Sequence, residues 1–431
     1  MPALGASFAL KLDGMSQLLC LLTAVSSPII FLATWKTPYR RAHSFFALML
    51  LAQAGLMGVF LAMDALLFYF FWELALIPVY FLCSQWGGER RIPVTFKFFV
   101  YTFLGSVLML IGILYVYSFT ADGSFAIESF YAVKLSSQTQ IWLFWLFFIA
   151  FAIKMPIFPF HTWQPDTYEQ SPTATTMVLS GIMVKMGVFG LLRWLLPIVP
   201  VATFQHGDTV SWLAIIGMIY ASLIAIQQND LKRLIAYSSI AHIGLMCLTI
   251  FSETRIGMQG VMIQMFNHGI NIIGLWIVVE WIERKYGTRR MSELGGLAQK
   301  APGMAILLMI VALANIALPL TNAFVGEFLM FSGIYTSDIT KYNVWFTVAA
   351  GVCIILAAVY TLRMIRKVCY GDTVPATSGG SDMGATEKIA LGIIVVLIFW
   401  AGIYPQTLLK ITNDVSESIL KLSDIHHLLK K

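Results

Sequence analysis

Six ionisable side chains stand in six stretches that are otherwise almost free of charge. Glu73 sits in LLFYFFWELALIPVYFL, Lys154 ends WLFWLFFIAFAIK, and Lys185 lies in TMVLSGIMVKMGVFGLL. Glu327 lies in FVGEFLMF, His242 in SIAHIGL and His268 in MFNHGIN. A seventh, His161, follows Lys154 within a proline-rich turn. A charge at the centre of a bilayer costs about 2.5–3.5 kcal/mol on insertion scales, so each of these needs a reason. A static Glu73–Lys154 ion pair, or a lone histidine hydrogen-bonded between helices, would account for some of them singly. Buried ion pairs add little net stability, however, whereas chains of Asp, Glu, His and Lys are what proton relays require. Burial favours the neutral form of a lysine and a nearby carboxylate favours the charged one, so moving Glu73 relative to Lys154 would switch a proton on and off. Histidine titrates near neutrality and hands protons on through water.

These residues demand a particular scaffold. Pro156, Pro159 and Pro165 follow Lys154 closely. Proline removes a backbone donor and breaks a helix. At membrane depth a break is tolerated only where other groups or a wet cavity satisfy the freed backbone. The 431-residue chain is 58% hydrophobic and only 12% charged, with mean hydropathy +0.79. Apolar runs of membrane-spanning length recur from end to end, which makes this an all-α polytopic membrane protein. The pattern predicts about twelve spans, near 15–34, 43–62, 64–85, 98–119, 140–157, 172–196, 210–227, 231–251, 256–282, 302–334, 343–365 and 387–404. The tenth is too long for one straight span and contains Pro319, so it reads as a second broken helix.

Basic residues alternate from loop to loop. One side holds Lys36, Arg40, Arg41, Arg90, Arg91, Lys97, Lys232 and Arg233, then Arg284, Lys285, Arg289, Arg290, Lys300, Arg363, Arg366, Lys367 and Lys388. The opposite loops carry only Lys134, Arg255 and Lys341. By the positive-inside rule the first set faces the cytoplasm and both termini lie outside. The acidic stretch at Asp166 and Glu169 goes against the trend, but carboxylates carry little topological weight. The first residues lack the basic and apolar regions of a signal peptide, so the first span is expected to stay. Residues 371–386 read as a flexible connection. Leu408, Leu409, Ile411, Val415, Ile419, Leu422 and Ile425 mark an amphipathic tail for a membrane surface or a partner, or a frayed surface helix. The five scattered cysteines read as apolar filler. There is no polybasic face for nucleic acid, no phosphate-cradling loop, and no haem, iron–sulfur or nucleotide signature. Energy must then come from an ion gradient or a partner chain.

Five stretches carry a family resemblance: FFWELALIPVYFL, AFAIKMPIFPFHTWQPD, SGIMVKMGVFGLLRWLLP, NDLKRLIAYSSIAHIGLM and LPLTNAFVGEF. Together they resemble the antiporter-like membrane subunits of proton-translocating NADH:quinone oxidoreductase, respiratory complex I. The wider family includes the multisubunit sodium/proton antiporters. The resemblance implies that Glu73 pairs with Lys154, that Lys185 is the central lysine of a horizontal proton path, and that His161, His242 and His268 flank it. It makes Glu327 the terminal acidic residue, a position where sister branches carry lysine. It also implies a fourteen-helix family fold with two inverted five-helix repeats, here 43–196 and 210–365, each with one broken helix. Residues 1–42 would hold an N-terminal span, and 366–431 the linker, last span and tail. Family members carry two further spans ahead of the first one here; the relay is expected to survive that difference, and subunit contacts are where it would tell. Gln164 stands where the family shows an apolar residue.

Two functions follow from these readings. The first is a proton-translocating subunit in a bacterial inner membrane, driven by electron transfer in partner chains that hold FMN, iron–sulfur clusters, NADH and quinone. This chain would then carry no cofactor and would touch the sister antiporter-like chains and the lipid bilayer. The second is a subunit of a sodium/proton antiporter or of a membrane-bound hydrogenase complex. A pure scaffold leaves the buried ionisable residues unexplained.

Overall fold

The structure, a computed structural model, describes residues 5–375, 377 and 381–423. Among them the regular structure is helical, with turns and loops between helices and only isolated bridges such as Leu10 with Ala62. The principal helices are α1 (Gly14–Ala33), α2 (Ala42–Leu61), α3 (Ala65–Trp86), α4 (Arg91–Tyr117), α5 (Ser137–Lys154), α6 (Trp163–Gln170), α7 (Thr173–Ile198) and α8 (Pro200–Gln227). They continue with α9 (Leu231–Ile250), α10 (Arg255–Tyr286), α11 (Pro302–Asn315), α12 (Asn322–Tyr335), α13 (Asn343–Cys369), α14 (Ala385–Ile403) and α15 (Gln406–Ser423). Among the described residues eleven helices are long and apolar enough to cross a membrane. The predicted tenth span is the pair α11 and α12, each too short alone, with residues 316–321 between them.

Local chemistry sets the helix starts. The Asp13 carboxylate accepts from the Ser16 amide, Asp64 from Leu66 and Leu67, and Asp230 from Arg233. Each fills donors that a helix N-terminus leaves open. Helix α8 begins ten residues ahead of its predicted span. Pro200 opens it with a φ already suited to a first turn, and polar Gln205, His206 and Asp208 hide the helix from a hydropathy reading.

Three helices, α7, α9 and α10, are buried along their membrane-length windows and form the centre. Helix α10 is the hub: it packs against α1, α9, α11, α12, α14 and α15. Its approach to α12 depends on small residues, because a Cβ on Gly260 would sit 2.8 Å from the Met330 amide nitrogen. Without a hydrophobic drive inside lipid, such close backbone contact is what joins membrane helices.

Two expectations change. The described part of 371–386 is tied down: Thr377 donates to the Gly295 carbonyl at 2.9 Å, and Asp382 accepts from the Gly303 and Met304 amides. These anchors outweigh the Gly/Ser composition of the stretch. The tail, read as lying on a membrane or partner or as fraying, packs on the body as α15, against α1 and α10. It buries Leu408, Thr412, Ser416, Ile419 and Ser423, while Leu409, Ile411, Val415 and Leu422 are half-buried. Ile425 lies outside the described residues.

Candidate functional site

Lys185, His268, His242 and Glu327 come together as a row across four elements. Lys185, on α7, is fully buried, and its ammonium meets two acceptors. It donates to the Ser180 carbonyl at 2.7 Å and stands 2.8 Å from Nδ1 of His268 on α10. A π-helical turn, Leu179–Met183, precedes it, with the Val184 amide bonded to the Leu179 carbonyl. Such widened turns inside helices recur at functional sites.

The row continues through aromatic and carboxylate contacts. The rings of His268 and His242 lie 5.6 Å apart. On α9, His242 holds Nδ1 3.3 Å from Oε1 of Glu327, within ion-pair range but outside hydrogen-bond alignment. Its Nε2 stands 3.4 Å from the Asn315 amide nitrogen, which also donates to Ser238 at 3.4 Å. The Tyr360 hydroxyl donates to Ser238 at 2.9 Å. Both ring nitrogens of His242 thus have polar neighbours, Nε2 the Asn315 amide and Nδ1 the Glu327 carboxylate. A cavity of about 20 Å³ touches His242, Glu327 and Tyr360. It has room for a single water.

The two breaks place polar groups at helix ends. Helix α5 ends on Lys154 and α6 resumes at Trp163. The Trp163 indole donates to the freed Ile153 carbonyl at 2.9 Å, and the Ile157 amide reaches the Ala152 carbonyl at 2.9 Å. The backbone is thus satisfied without a straight helix. At the second break Ala317 and Leu320 take left-handed φ values of 58° and 74°. Such values are costly for residues that carry a side chain. Strain of this kind is found where surrounding structure holds a functional turn in place.

Glu73 and Lys154, which the resemblance pairs, are electrostatic neighbours without direct contact. No ion pair within 4.0 Å joins them among the described residues. Neither Glu73 Oε1 nor Lys154 Nζ has a hydrogen-bond partner there. Lys154 is buried, and its ammonium instead lies 5.3 Å from the Trp72 ring centroid. That is a cation–π contact. His161 is buried in the first break beside Phe158 and Tyr220, its ring 5.3 Å from that of Tyr220. Among the described residues no hydrogen bond or ring contact joins His161 to the row at Lys185.

Other buried or half-buried charges have a direct polar partner, though Nε of Arg193 and one terminal nitrogen of Arg284 have none among the described residues. Arg193 binds the Asp13 carboxylate, Lys232 meets Glu283 at 2.6 Å, Glu280 accepts from the Thr37 hydroxyl at 2.9 Å, and Arg284 binds Glu387. Lys232, read from sequence as a loop charge, is 4% exposed. The acidic stretch is resolved similarly: Asp166 meets Lys97 at 2.9 Å and Arg233 at 3.1 Å, while Glu169 meets Arg233 at 2.8 Å and Arg289 at 3.1 Å. Burial of Asp166 opposes ionisation, but hydrogen bonds from Lys97 and Arg233 outweigh it and hold the carboxyl below its ordinary range. The contrast separates structural charges with partners from Glu73 and Lys154, which lack them. Sequence reasoning passed over Ser238, Asn315, Tyr360 and Trp72, whose residue types carry no signal until the fold sets them beside titratable groups. No group of three His, Cys, Asp or Glu suited to a metal occurs among the described residues.

An all-helical membrane body with two interrupted helices and a buried lysine–histidine–glutamate row defines an ion-translocating class. The model of the NADH:quinone oxidoreductase/Mrp antiporter transmembrane family matches residues 62–357, and this chain belongs to that family. It is 37% identical to NADH-quinone oxidoreductase subunit M of Rickettsia bellii over 418 residues, 97% of this chain and 84% of that relative. It superposes on a chain of respiratory complex I from Thermus thermophilus with TM-score 0.90 at 30% identity, covering 98% of this chain and 88% of that one. It also shares its fold with a chain of the Mrp complex of a Dietzia species, TM-score 0.85 at 20% identity, covering 95% and 84%.

Proposed function

We propose that this chain is the proton-translocating subunit M of a bacterial NADH:quinone oxidoreductase. The observation that carries the reading is the buried row Lys185–His268–His242–Glu327 in a chain 37% identical to a subunit M. Each member can hold or pass a proton, and the gaps between them are of hydrogen-bond or single-water size.

In the proposed cycle Glu73 and Lys154 are the switch. Lys154 rests on Trp72 with no carboxylate bound. Approach of Glu73 would stabilise its charged form and withdrawal would release the proton. A proton arriving at Lys185 passes to Nδ1 of His268, leaves from Nε2 towards His242, and reaches Glu327 through Nδ1 of His242. A membrane potential opposes each charge by about 2.3 kcal/mol per 100 mV, within the range that changes in burial and pairing supply. His161 is assigned a supporting role in the first break.

The two repeats are proposed at 43–196 and 210–365, supported by one interrupted helix in each, with residues 1–42 and 366–431 flanking them. The Arg- and Lys-rich loops are assigned to the cytoplasm and both termini to the periplasm. Electron transfer in partners that carry FMN, iron–sulfur clusters, NADH and quinone supplies the energy, and the sister antiporter-like chains are the neighbours in the membrane.

Purification of the tagged chain in mild detergent from its native membrane tests the proposal. NADH:quinone activity with flavin- and iron–sulfur-carrying partners is the expected result. Small membrane partners with sodium/proton exchange and no redox activity would transfer the chain to the antiporter branch.

A further inference from the structure

One face of α10 carries a second set of buried polar groups that the row does not use. Gln264, Asn267 and Asn271 lie within one helical stripe, at spacings of three and four residues. All three are buried, none of them more than 2% exposed. Among the described residues Gln264 Oε1, Asn267 Oδ1 and both amide atoms of Asn271 have no hydrogen-bond partner. A buried polar atom left unsatisfied costs about 1–3 kcal/mol, and four of them on one stripe are not explained by packing.

Two of the three, Gln264 and Asn267, meet the second broken helix. Asn267 donates to the Asn322 carbonyl, at the start of α12, at 2.8 Å. The Gln264 side chain lies against Gly326, next to Glu327, so closely that a Cβ there would collide with its Oε1. His268, in the row, is the direct neighbour of Asn267 on the same turn. The stripe therefore runs beside the His268–His242 step and ends at the turn that holds Glu327.

We propose that Gln264, Asn267 and Asn271 form a water-holding limb of the relay, parallel to the His268–His242 step and converging on Glu327. An amide does not titrate, but it offers both a donor and an acceptor and so orients water in a chain along which protons move. The orphan donor of Asn271 favours water over a bound metal cation, which would satisfy oxygens alone. This inference rests on the proton-relay reading above.

The test uses the intact complex in inverted membrane vesicles, with NADH-driven acidification measured against NADH oxidation. Asn271→Leu is expected to lower that ratio by about threefold or more, the rate equivalent of one lost hydrogen bond, while Asn271→Ser retains it. Ordered water bonded to both Asn271 amide atoms is expected in a high-resolution structure of the complex. Wild-type pumping in Asn271→Leu beside lost pumping in Lys185→Met would overturn the limb and leave the relay standing. Normal pumping in both would overturn the relay itself. A dry Asn271, equal loss in the Leu and Ser variants, or pumping that depends on sodium in the wild type and not in Asn271→Leu would each overturn the limb. If Asn271→Leu does not assemble, the serine variant and the water positions decide.

Discussion

Lys185 and His268 meet directly, Nζ to Nδ1 at 2.8 Å, on two helices that are buried throughout their membrane-length windows. Both residues are buried, and Nζ of Lys185 also donates to the Ser180 carbonyl at 2.7 Å. Of these two partners only the imidazole can take up a proton.

Lys154→Met is expected to leave the complex assembled, because Lys154 has no hydrogen bond or ion pair to lose among the described residues. It is expected to lower NADH-driven pumping about tenfold or more. Vesicle acidification with native-gel quantification checks both halves. Normal pumping would falsify the assignment of Lys154 to the switch.

If the position beside His242 serves the proposed relay through a titratable group, Glu327→Lys is expected to retain more pumping than Glu327→Ala. The alanine variant should be down about tenfold or more. Equal loss in both variants would mean that the carboxylate itself is required.

Asp13 and Arg193 fix the start of α1 to the far end of the Lys185 helix. Removing one partner leaves an uncompensated buried charge, a loss of about 3–5 kcal/mol. Asp13→Asn or Arg193→Met alone should therefore lower the yield and thermal midpoint of the complex, and the double variant should recover part of that loss. No recovery would show that the two residues are not coupled.

Asp166 supplies a pH signature. Its folded carboxyl sits below its ordinary value. Its contribution is therefore complete above the ordinary value of ~3.9 and is lost as pH falls through the depressed one. Thermal unfolding of the complex below about pH 4 should fall less steeply with pH in Asp166→Asn than in the wild type. Identical pH profiles would show that Asp166 ionises normally.

Gly14→Ala is expected to detach the tail helix. Its Cβ would collide with the Ile411 carbonyl oxygen, a backbone atom with nowhere to move. Faster amide exchange across Gln406–Ser423, with α1 unchanged, is the expected reading. Unchanged exchange there would mean that α15 docks by another contact.

Much of the candidate site was legible in the sequence because charge in an apolar run has few explanations. Lys154 before Pro156, and Glu327 after Pro319, marked both the ionisable groups and the interrupted helices that hold them. The partners were not legible. Ser238, Asn315 and Tyr360 are ordinary polar residues in sequence, and contact with His242 comes only when α9, α11 and α13 pack together. Lys232 looked like a loop cation because it sits at a helix start; only burial against Glu283 reveals it as a structural charge.

By itself the sequence determined the class of protein, the positions of the spans to within a few residues at most ends, and which side chains could carry protons. Those follow from the cost of placing charge or unpaired backbone in hydrocarbon, a local property of each segment. The tertiary structure alone decided which of those side chains touch. It joined Lys185 to His268, set His242 against Glu327, placed Lys154 over Trp72, and folded the tail onto α1 and α10. Each of these depends on where separate helices cross, and helix crossing is fixed by small residues and packing spread along the whole chain rather than by any one stretch.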